Sequence, residues 1–354
     1  MNSDRTTALV LTLTELPGIQ AKTAHGLIRD SERFEILGVI DHAHAGQDAG
    51  EVVDGVHMGI PVVNSRVEFE AQSGKKADHL VIGVANVGGM LSREWFPIIE
   101  DCLEQGMSIV CGMHEFLTDI PRFVELSEKH GGKLIDVRKP KRMQELHFWT
   151  GAIHSVPAAK IAVMGTDCAI GKRTLTRLLM HACREAGLKT DLIYTGQTGW
   201  MQGGKYGFVL DAVLNDFVAG ELEHAIVTCY EETKSDVILI EGQAALRNPS
   251  GPCGSEFLVS GDAKGVILVH APGRPYHKGW KEVDRKIAPL ATEVALVHMY
   301  GSEVLGIGLN TAGLSLDQAR EWQARYEDEL GLPVVLPLDG GVEALIPNVK
   351  ALVK

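Results

Sequence analysis

Residues 165–174 form the most specific chemical pattern in this sequence. They read GTDCAIGKRT and directly follow an apolar run at residues 160–164. A glycine-bounded loop that ends in Gly-Lys and opens a helix points its backbone N–H groups at one position, where they and the helix dipole favour a phosphate group. We therefore predict a phosphate-binding loop whose ligand-binding residues are Gly165, Thr166, Asp167, Cys168, Ala169, Ile170, Gly171, Lys172, Arg173 and Thr174.

This loop departs in two ways from the common phosphate-loop pattern. Five residues separate Gly165 from Gly171, where four are usual, and Arg173 takes the place of the hydroxyl residue that ligates Mg²⁺. Thr174 comes one residue later, and this shift turns a helical side chain by about 100°. Because Arg173 beside Lys172 can neutralise a pyrophosphate without a metal, the pattern favours an uncleaved ligand such as coenzyme A and predicts no metal site.

A carboxylate and a cationic cluster follow two later apolar runs. Glu241 ends the run VILIE, where P-loop proteins carry an acidic residue that can hold Mg²⁺ through water, accept a proton or pair with Lys172. After residues 265–269 the chain places four basic side chains within nine positions: His270, Arg274, His277 and Lys278. In an acidic chain this cluster indicates an anion site. The histidines lack the spacing of zinc ligands.

Other polar residues are expected at the same edge of the sheet. In an open parallel sheet the ligand crevice lies outside the carboxyl ends of the strands, so residues that directly follow strands are the first candidates. A glycine-rich segment after residues 190–195 could form a polar lid over a ligand. The additional candidates at these positions and in the following helical stretch are Gln197, Thr198, Gln243, Arg247 and Asp211.

Alternating strand and helix patterns predict the elements that position these residues. The first half is typical of βαβ units and a Rossmann-like domain. Its strands are expected at 8–13, 34–41, 79–85, 108–113 and 133–137, with helices at 22–29, 95–105 and 121–130. Asp41 could mimic the ribose-binding acid of dinucleotide enzymes, but no GxGxxG follows the first strand, so NAD binding is the weaker alternative.

After a linker at residues 138–159, the pattern becomes α/β again. Further strands are expected at 190–195, 236–241, 265–270, 293–298 and 333–336, and helices at 206–233 and 315–330. The predicted fold class is α/β, with a Rossmann-like parallel-sheet domain at residues 1–150 and a P-loop NTPase-like domain at residues 151–354.

Length and composition agree with an enzyme of two domains. The chain has 354 residues and a formal net charge of −12, which argues against a nucleic-acid partner because such partners require a basic surface. The six cysteines form no CxxC pair, which favours a reducing cytoplasm. No run approaches the roughly 20 apolar residues of a membrane span, so we expect a cytoplasmic protein without a membrane partner.

Several segments together resemble one known family. These are GTDCAIGKRT, TGQTGW, DAVLNDFVAGE, IEGQ, VHAPGRPYHKGW and GIQAKTAHGLIR. Over nearly its whole length the chain resembles a family of bacterial and archaeal proteins with a Rossmann-like and a P-loop domain, which includes D-glutamate N-acetyltransferases. The resemblance implies acetyl-coenzyme A as donor, an acidic amino acid, D-glutamate, as acceptor, and a pathway partner of the enolase superfamily that racemises the N-acetylated product. We also expect a homo-oligomer.

The implied reaction assigns roles to the candidate residues. The two carboxylates of the acceptor require cations, for which Arg274, Arg247 and Lys278 are candidates. The acceptor amine requires a general base, with Glu241 as first choice, then His270 and Asp211. Backbone amides of residues 196–199 or of the Gly242 loop could stabilise the oxyanion.

Two alternatives stay open at this point. The GTDxxxGK form also resembles dethiobiotin synthetase, and an ATP-dependent ligase or kinase would use Thr174 and Glu241 to hold Mg²⁺ and cleave ATP. The second alternative is a non-catalytic, nucleotide-regulated protein whose N-terminal domain binds a small ligand.

Overall fold

The computed structural model describes residues 5–353, which form two compact units. The first unit runs as far as Pro140 and also includes Gln197–Gly204. The second unit consists of Lys141–Gly196 and the chain from Lys205 onward. Within the described residues, no helix is both long enough and apolar enough to cross a membrane.

The first unit is built on a parallel sheet. In the described chain its strand order is β3-β2-β1-β4-β5-β6. The strands are β1 (Thr6–Leu13), β2 (Phe34–Asp41), β3 (Val62–Val63), β4 (His79–Ile82), β5 (Ser108–Cys111) and β6 (Leu134–Asp136). The middle of β1 is buried on both faces because helices cover both sides of the sheet, which explains its unbroken apolar run.

Five helices of this unit connect the strands in the part of the chain that is described. They are α1 (Lys22–Arg29), α2 (Ala49–Asp54), α3 (Arg66–Ser73), α4 (Phe96–Glu104) and α5 (Pro121–His130). The Asp48 carboxylate caps α2 and the Ser65 hydroxyl caps α3, each by accepting backbone N–H groups of the first turn. The predicted Rossmann-like class is confirmed, although α2, α3 and the two-residue strand β3 were not predicted.

The second unit contains a larger parallel sheet. Across the described residues its strand order is β13-β12-β11-β7-β10-β8-β9. The strands are β7 (Ala159–Gly165), β8 (Thr190–Tyr194), β9 (Tyr206–Gly207), β10 (Val237–Glu241), β11 (Gly265–His270), β12 (Glu303–Leu309) and β13 (Val334–Val335). The strand before the phosphate loop, β7, lies in the middle between β11 and β10. The predicted P-loop-like α/β class is therefore confirmed.

The remaining helices are α6 (Lys172–Glu185), α7 (Gln197–Met201), α8 (Asn215–Thr233), α9 (Ser255–Val259), α10 (Leu290–Met299), α11 (Leu316–Leu330) and α12 (Ile346–Leu352). Of these, α7 belongs to the first compact unit. The predicted helix α11 begins with a capping box formed by Ser315 and Gln318.

Two predicted elements were wrong. The strand expected at 293–298 lies inside α10, because a short apolar run such as EVALVH fits a buried helix as well as a strand. The strand in this part of the chain is β12, which follows α10. It was not predicted because the glycines at 306 and 308 interrupt its apolar pattern. The helix expected from residue 206 begins only at Asn215, after β9 and a short turn.

Candidate functional site

The predicted phosphate loop connects β7 to α6. Gly165 ends the strand, and a side chain there would lie 2.8 Å from Ile170 Cδ1 and 3.0 Å from the carbonyl oxygen of Val269. Ala169 and Gly171 have positive φ angles of 50° and 97°, whereas Ile170 between them does not. An alternation of negative and positive φ angles can turn successive N–H groups toward one concavity, which is how backbone amides bind anions.

The backbone N–H groups of this loop are available to a ligand. Within the described part of the chain, none of the N–H groups of residues 169–174 donates to a protein acceptor. The last three of these residues form the first turn of α6, where the helix itself offers no acceptors and the dipole favours negative charge. The loop and helix therefore have the geometry of an anion-binding site.

Lys172 is buried inside the loop. Its Nζ donates to the carbonyl oxygens of Asp167 and Ala244, each at 2.7 Å. Burial lowers the pKa of Lys172 to about 8. Ala244 has a φ of 35°, a left-handed conformation that L-residues rarely adopt, and its carbonyl is one of the two partners of the ammonium.

Arg173 and Glu241 form an ion pair beside the loop. Glu241 ends β10 with 3% of its surface exposed, and its Oε1 accepts from Arg173 Nη2. The second carboxylate oxygen, Oε2, and the Nε of Arg173 are both buried and have no hydrogen-bond partner among the described residues. Buried polar atoms without partners are rare and costly. The pair therefore has one acceptor and one donor that the described protein leaves unsatisfied.

Small and polar residues surround this pair. The Thr195 hydroxyl donates to the carbonyl oxygen of Glu241 at 2.6 Å, and Gln243 Nε2 donates to that hydroxyl at 3.1 Å. A side chain at Gly196 would lie 2.7 Å from Gln243 Nε2 and 3.3 Å from Arg173 Nη2, so glycine keeps this position open. The Gly242 amide donates to the Val163 carbonyl inside the sheet and so is not an oxyanion donor.

Asp167 anchors the loop through an unpredicted network. Its side chain is fully buried, and its two oxygens accept from four groups: Arg274 Nη1 at 3.0 Å, His277 Nδ1 at 3.2 Å, Lys278 N at 2.9 Å and Asn248 Nδ2 at 3.0 Å. Burial by itself would raise the pKa of Asp167, but hydrogen bonds from backbone N–H groups, Arg274 and His277 lower it below the ordinary value. The carboxylate is therefore ionised, and the hydrogen bonds that it accepts stabilise the loop.

The structure gives other partners to Arg247 and His270. Arg247 donates to Glu293 at 2.8 Å and to the Thr292 hydroxyl. His270 is buried; its Nδ1 lies 2.9 Å from the Thr166 hydroxyl and its Nε2 lies 3.2 Å from the Tyr326 hydroxyl. Burial lowers the pKa of His270 to about 4. Its ring is therefore neutral at pH 7, with both nitrogens in contact with protein hydroxyls.

The remaining predicted residues have other partners or are exposed. Gln197 and Thr198 belong to the first compact unit, where Gln197 accepts from Arg138 and the Thr198 hydroxyl lies 2.9 Å from that of Thr23. Asp211 is exposed in the short turn Leu210–Ala212.

Asp41 of the first unit does not offer a free carboxylate to a ribose. It is fully buried and accepts from the Thr12 hydroxyl at 2.8 Å and from the Leu16 amide at 3.0 Å, both in or after β1. Its second oxygen accepts from Ala43 N and contacts His44. The acid that suggested NAD binding therefore stabilises the loop that follows the first strand.

Comparison with known proteins agrees with this architecture. Residues 147–346 match the P-loop domain of the DUF1611 family, a domain of unknown function, and residues 42–140 match the Rossmann-like N-terminal domain of the same family. The chain belongs to the DUF1611 family. A crystal structure of a DUF1611 family protein from Anabaena variabilis is similar over 98% of this chain and 100% of that one, with 31% identity and a TM-score of 0.89.

Two curated relatives of this DUF1611 protein are named D-glutamate N-acetyltransferase. The relative from a Pseudoalteromonas species is 33% identical over 278 residues, which cover 77% of this chain and 81% of the relative. The relative from Tritonibacter scottomollicae is 32% identical over 352 residues, which cover 98% and 99% of the two chains.

Two asparagines of the site were missed from the sequence. Asn248 holds Asp167, and Asn310 Nδ2 donates to the Ile170 carbonyl at 3.0 Å. Asn310 directly follows β12. Had that strand been predicted, the rule that ligands lie beyond the carboxyl ends of parallel strands would have indicated Asn310. Nothing local distinguishes Asn248 from an ordinary turn residue.

Proposed function

We propose that the chain is an N-acetyltransferase that transfers the acetyl group of acetyl-coenzyme A to the amine of an acidic amino acid, with D-glutamate as the first acceptor to test. The names of the two curated relatives support the reaction and the acceptor. The structural observation that carries the proposal is the Arg173–Glu241 ion pair with its unpartnered carboxylate oxygen.

This ion pair argues against a magnesium nucleotide. A P-loop ligase or kinase uses its acidic residue and the hydroxyl after the lysine to hold Mg²⁺. Here an arginine follows Lys172 and neutralises Glu241, so a metal would have to compete with an ion pair for the carboxylate. The N–H groups of residues 169–174 have no acceptor in the described part of the protein, which supports binding of a phosphate group without a metal, as suits a coenzyme whose phosphates are not cleaved.

Glu241 is the general base in this proposal. Its Oε2 takes a proton from the acceptor amine, whose nitrogen attacks the thioester carbonyl. The new C–N bond forms, the C–S bond breaks, and the thiolate of coenzyme A leaves and takes up the proton from Glu241, which restores the carboxylate. The Gly196 N–H, which has no acceptor among residues 5–353, is the proposed donor to the oxyanion.

Lys278 is the proposed partner of the acceptor's carboxylates. Its side chain is exposed, whereas Arg247 pairs with Glu293 and Arg274 pairs with Asp167. We further expect a cytoplasmic homo-oligomer whose N-acetylated product is racemised by an enolase-superfamily enzyme.

An assay with two readouts tests the proposed reaction. Purified protein is incubated with acetyl-coenzyme A or with ATP and Mg²⁺, in each case with D- and L-glutamate and D- and L-aspartate, while free thiol and ADP are followed. We expect thiol release that depends on D-glutamate. Production of ADP without thiol release would instead support the ligase or kinase alternative.

A further inference from the structure

We propose that Arg274 is a positioning residue that holds the phosphate-binding loop, rather than a ligand of the acceptor's carboxylates. This inference rests on the function proposed above, in which the loop binds the phosphates of the donor. It assigns Arg274 a role that the sequence alone did not indicate.

The guanidinium of Arg274 makes its hydrogen bonds to three consecutive residues of the loop. Nη1 donates to Asp167 Oδ2 at 3.0 Å and to the carbonyl oxygen of Cys168 at 2.8 Å. Nη2 donates to the carbonyl oxygen of Ala169 at 3.3 Å. A planar guanidinium with several fixed donors suits such a cluster of oxygens, whereas the single ammonium of a lysine does not.

Asp167 fixes the position of this guanidinium. The carboxylate is fully buried, so its charge requires nearby hydrogen-bond donors. The guanidinium of Arg274 is one of these donors. His277 and the Lys278 amide bind the same carboxylate from the segment that carries Arg274, and Asn248 binds it from another segment. The arginine is therefore directed at the loop by a rigid buried anion.

The hydrogen bonds to carbonyl oxygens determine where the loop's N–H groups point. In a trans peptide the C=O of one residue and the N–H of the next lie in one plane and point in opposite directions, and the described chain contains no cis peptide bonds. Arg274 binds the carbonyls of Cys168 and Ala169, and Asn310 binds that of Ile170. These bonds direct the N–H groups of the next residues, Ala169, Ile170 and Gly171, to the opposite side.

Those three N–H groups are among the ones that have no acceptor within residues 5–353. The arginine thus stabilises the anion-binding form of the loop before any anion is present. Without it, binding would have to order the loop, and the cost would appear as weaker donor affinity. The acceptor, in contrast, would lose no contact.

The test compares three variants by calorimetry and by steady-state kinetics. Arg274→Ala removes the three bonds, Arg274→Lys keeps the charge but loses the planar group, and Asp167→Asn removes the charge that directs the arginine. Arg184→Ala is the matched control, because Arg184 lies at the far end of α6 and contacts Thr190 and Asp191. Melting temperatures are recorded for all variants.

We expect the Kd of coenzyme A to rise about 10- to 100-fold in Arg274→Ala, because this is the usual effect of losing charge-assisted hydrogen bonds. The KM of the acceptor should change less than about twofold. Arg274→Lys should lie between the wild type and Arg274→Ala. If Arg274→Ala does not fold, Arg274→Lys and Asp167→Asn provide the same comparison. An unchanged Kd for coenzyme A together with a raised acceptor KM would overturn the inference, and so would effects no larger than those of Arg184→Ala.

Pyrophosphate as a second probe separates this inference from the proposed function. If the wild type binds pyrophosphate but not coenzyme A, the proposed function fails, and the same variants measured with pyrophosphate still test the role of Arg274. If the wild type binds both and the variants bind both equally well, the inference fails while the proposed function stands.

Discussion

Replacement of Glu241 by glutamine tests the proposed base most directly. The amide keeps the shape of the side chain and one acceptor oxygen, but it cannot take a proton from the acceptor amine. Because the Oε2 atom of Glu241 has no partner among the described residues, the substitution disturbs few other contacts apart from the bond to Arg173. The expected loss is therefore mainly chemical.

The size of the effect follows from the role assigned to the carboxylate. General-base catalysis contributes about 10²- to 10⁴-fold to a rate, so kcat should fall by that factor while the Kd of coenzyme A stays within about threefold, a change of less than ~1 kcal/mol. Breaking a fully buried ion pair costs about 3–5 kcal/mol. The Arg173 side chain is 21% exposed, so we expect a loss of stability of about 1–3 kcal/mol here.

The assay follows thiol release at saturating donor and acceptor, with coenzyme A binding measured by calorimetry. Glu221→Gln is the matched control, because Glu221 is another buried glutamate with ionic partners, Lys141 and His147. It should lose stability and keep its kcat. If Glu241→Gln weakens coenzyme A binding and leaves kcat unchanged, Glu241 orders Arg173 and is not the base. A larger loss of kcat in His270→Asn would assign the base to His270.

Four further outcomes are expected. Lys172→Ala should raise the KM for acetyl-coenzyme A about 10- to 150-fold, the value of a charge-assisted hydrogen bond, and an unchanged KM would contradict the phosphate role of this lysine. Coenzyme A should bind equally well with and without EDTA in calorimetry, whereas activity that depends on Mg²⁺ and ATP would support the ligase alternative. Because burial lowers the pKa of Lys172 to about 8, its positive charge is lost above that pH, and affinity for coenzyme A should decline between pH 8 and 10 by at most about tenfold per pH unit; Lys172→Arg should remove this dependence. Burial lowers the pKa of His270 from 6.5 to about 4, so the unfolded chain binds the proton more tightly than the folded protein does. The free energy of unfolding in urea should therefore fall by up to about 3 kcal/mol as the pH drops from 6.5 to 4. An equal fall in His270→Asn would refute the assignment of this effect to His270.

The phosphate loop was predictable because its signal is local. The pattern consists of a strand, a glycine-bounded turn, Lys172 and an amphipathic helix, which follow one another within about two dozen residues. The phosphate-binding geometry requires these elements in this order. The position of Glu241 at the end of a strand was predictable for the same reason, since four apolar residues precede it. The fold class followed from the alternation of such units.

The partners of these residues were not predictable, because they are set by contacts between distant segments. Arg274 lies 107 positions from Asp167 in the sequence, and nothing in either segment indicates the other. A sequence that contains arginine and histidine near a strand end is compatible with an anion site for a ligand or for a protein carboxylate. Only the packing of the loops distinguishes the two, and it assigned Arg274 to the protein.

The pairing of charges also bears on turnover. Arg173 and Arg274 each face a carboxylate of the protein, while Lys172 binds two carbonyl oxygens and forms no ion pair within residues 5–353. A site of this kind attracts a phosphate through backbone N–H groups and about one net positive charge, rather than through three unpaired cations. In the proposed reaction donor and product share the same phosphates, so tighter binding at this loop would hold both equally and would lower the KM without raising kcat. Under that proposal the two ion pairs limit the affinity for coenzyme A, which favours release of the product after each acetyl transfer.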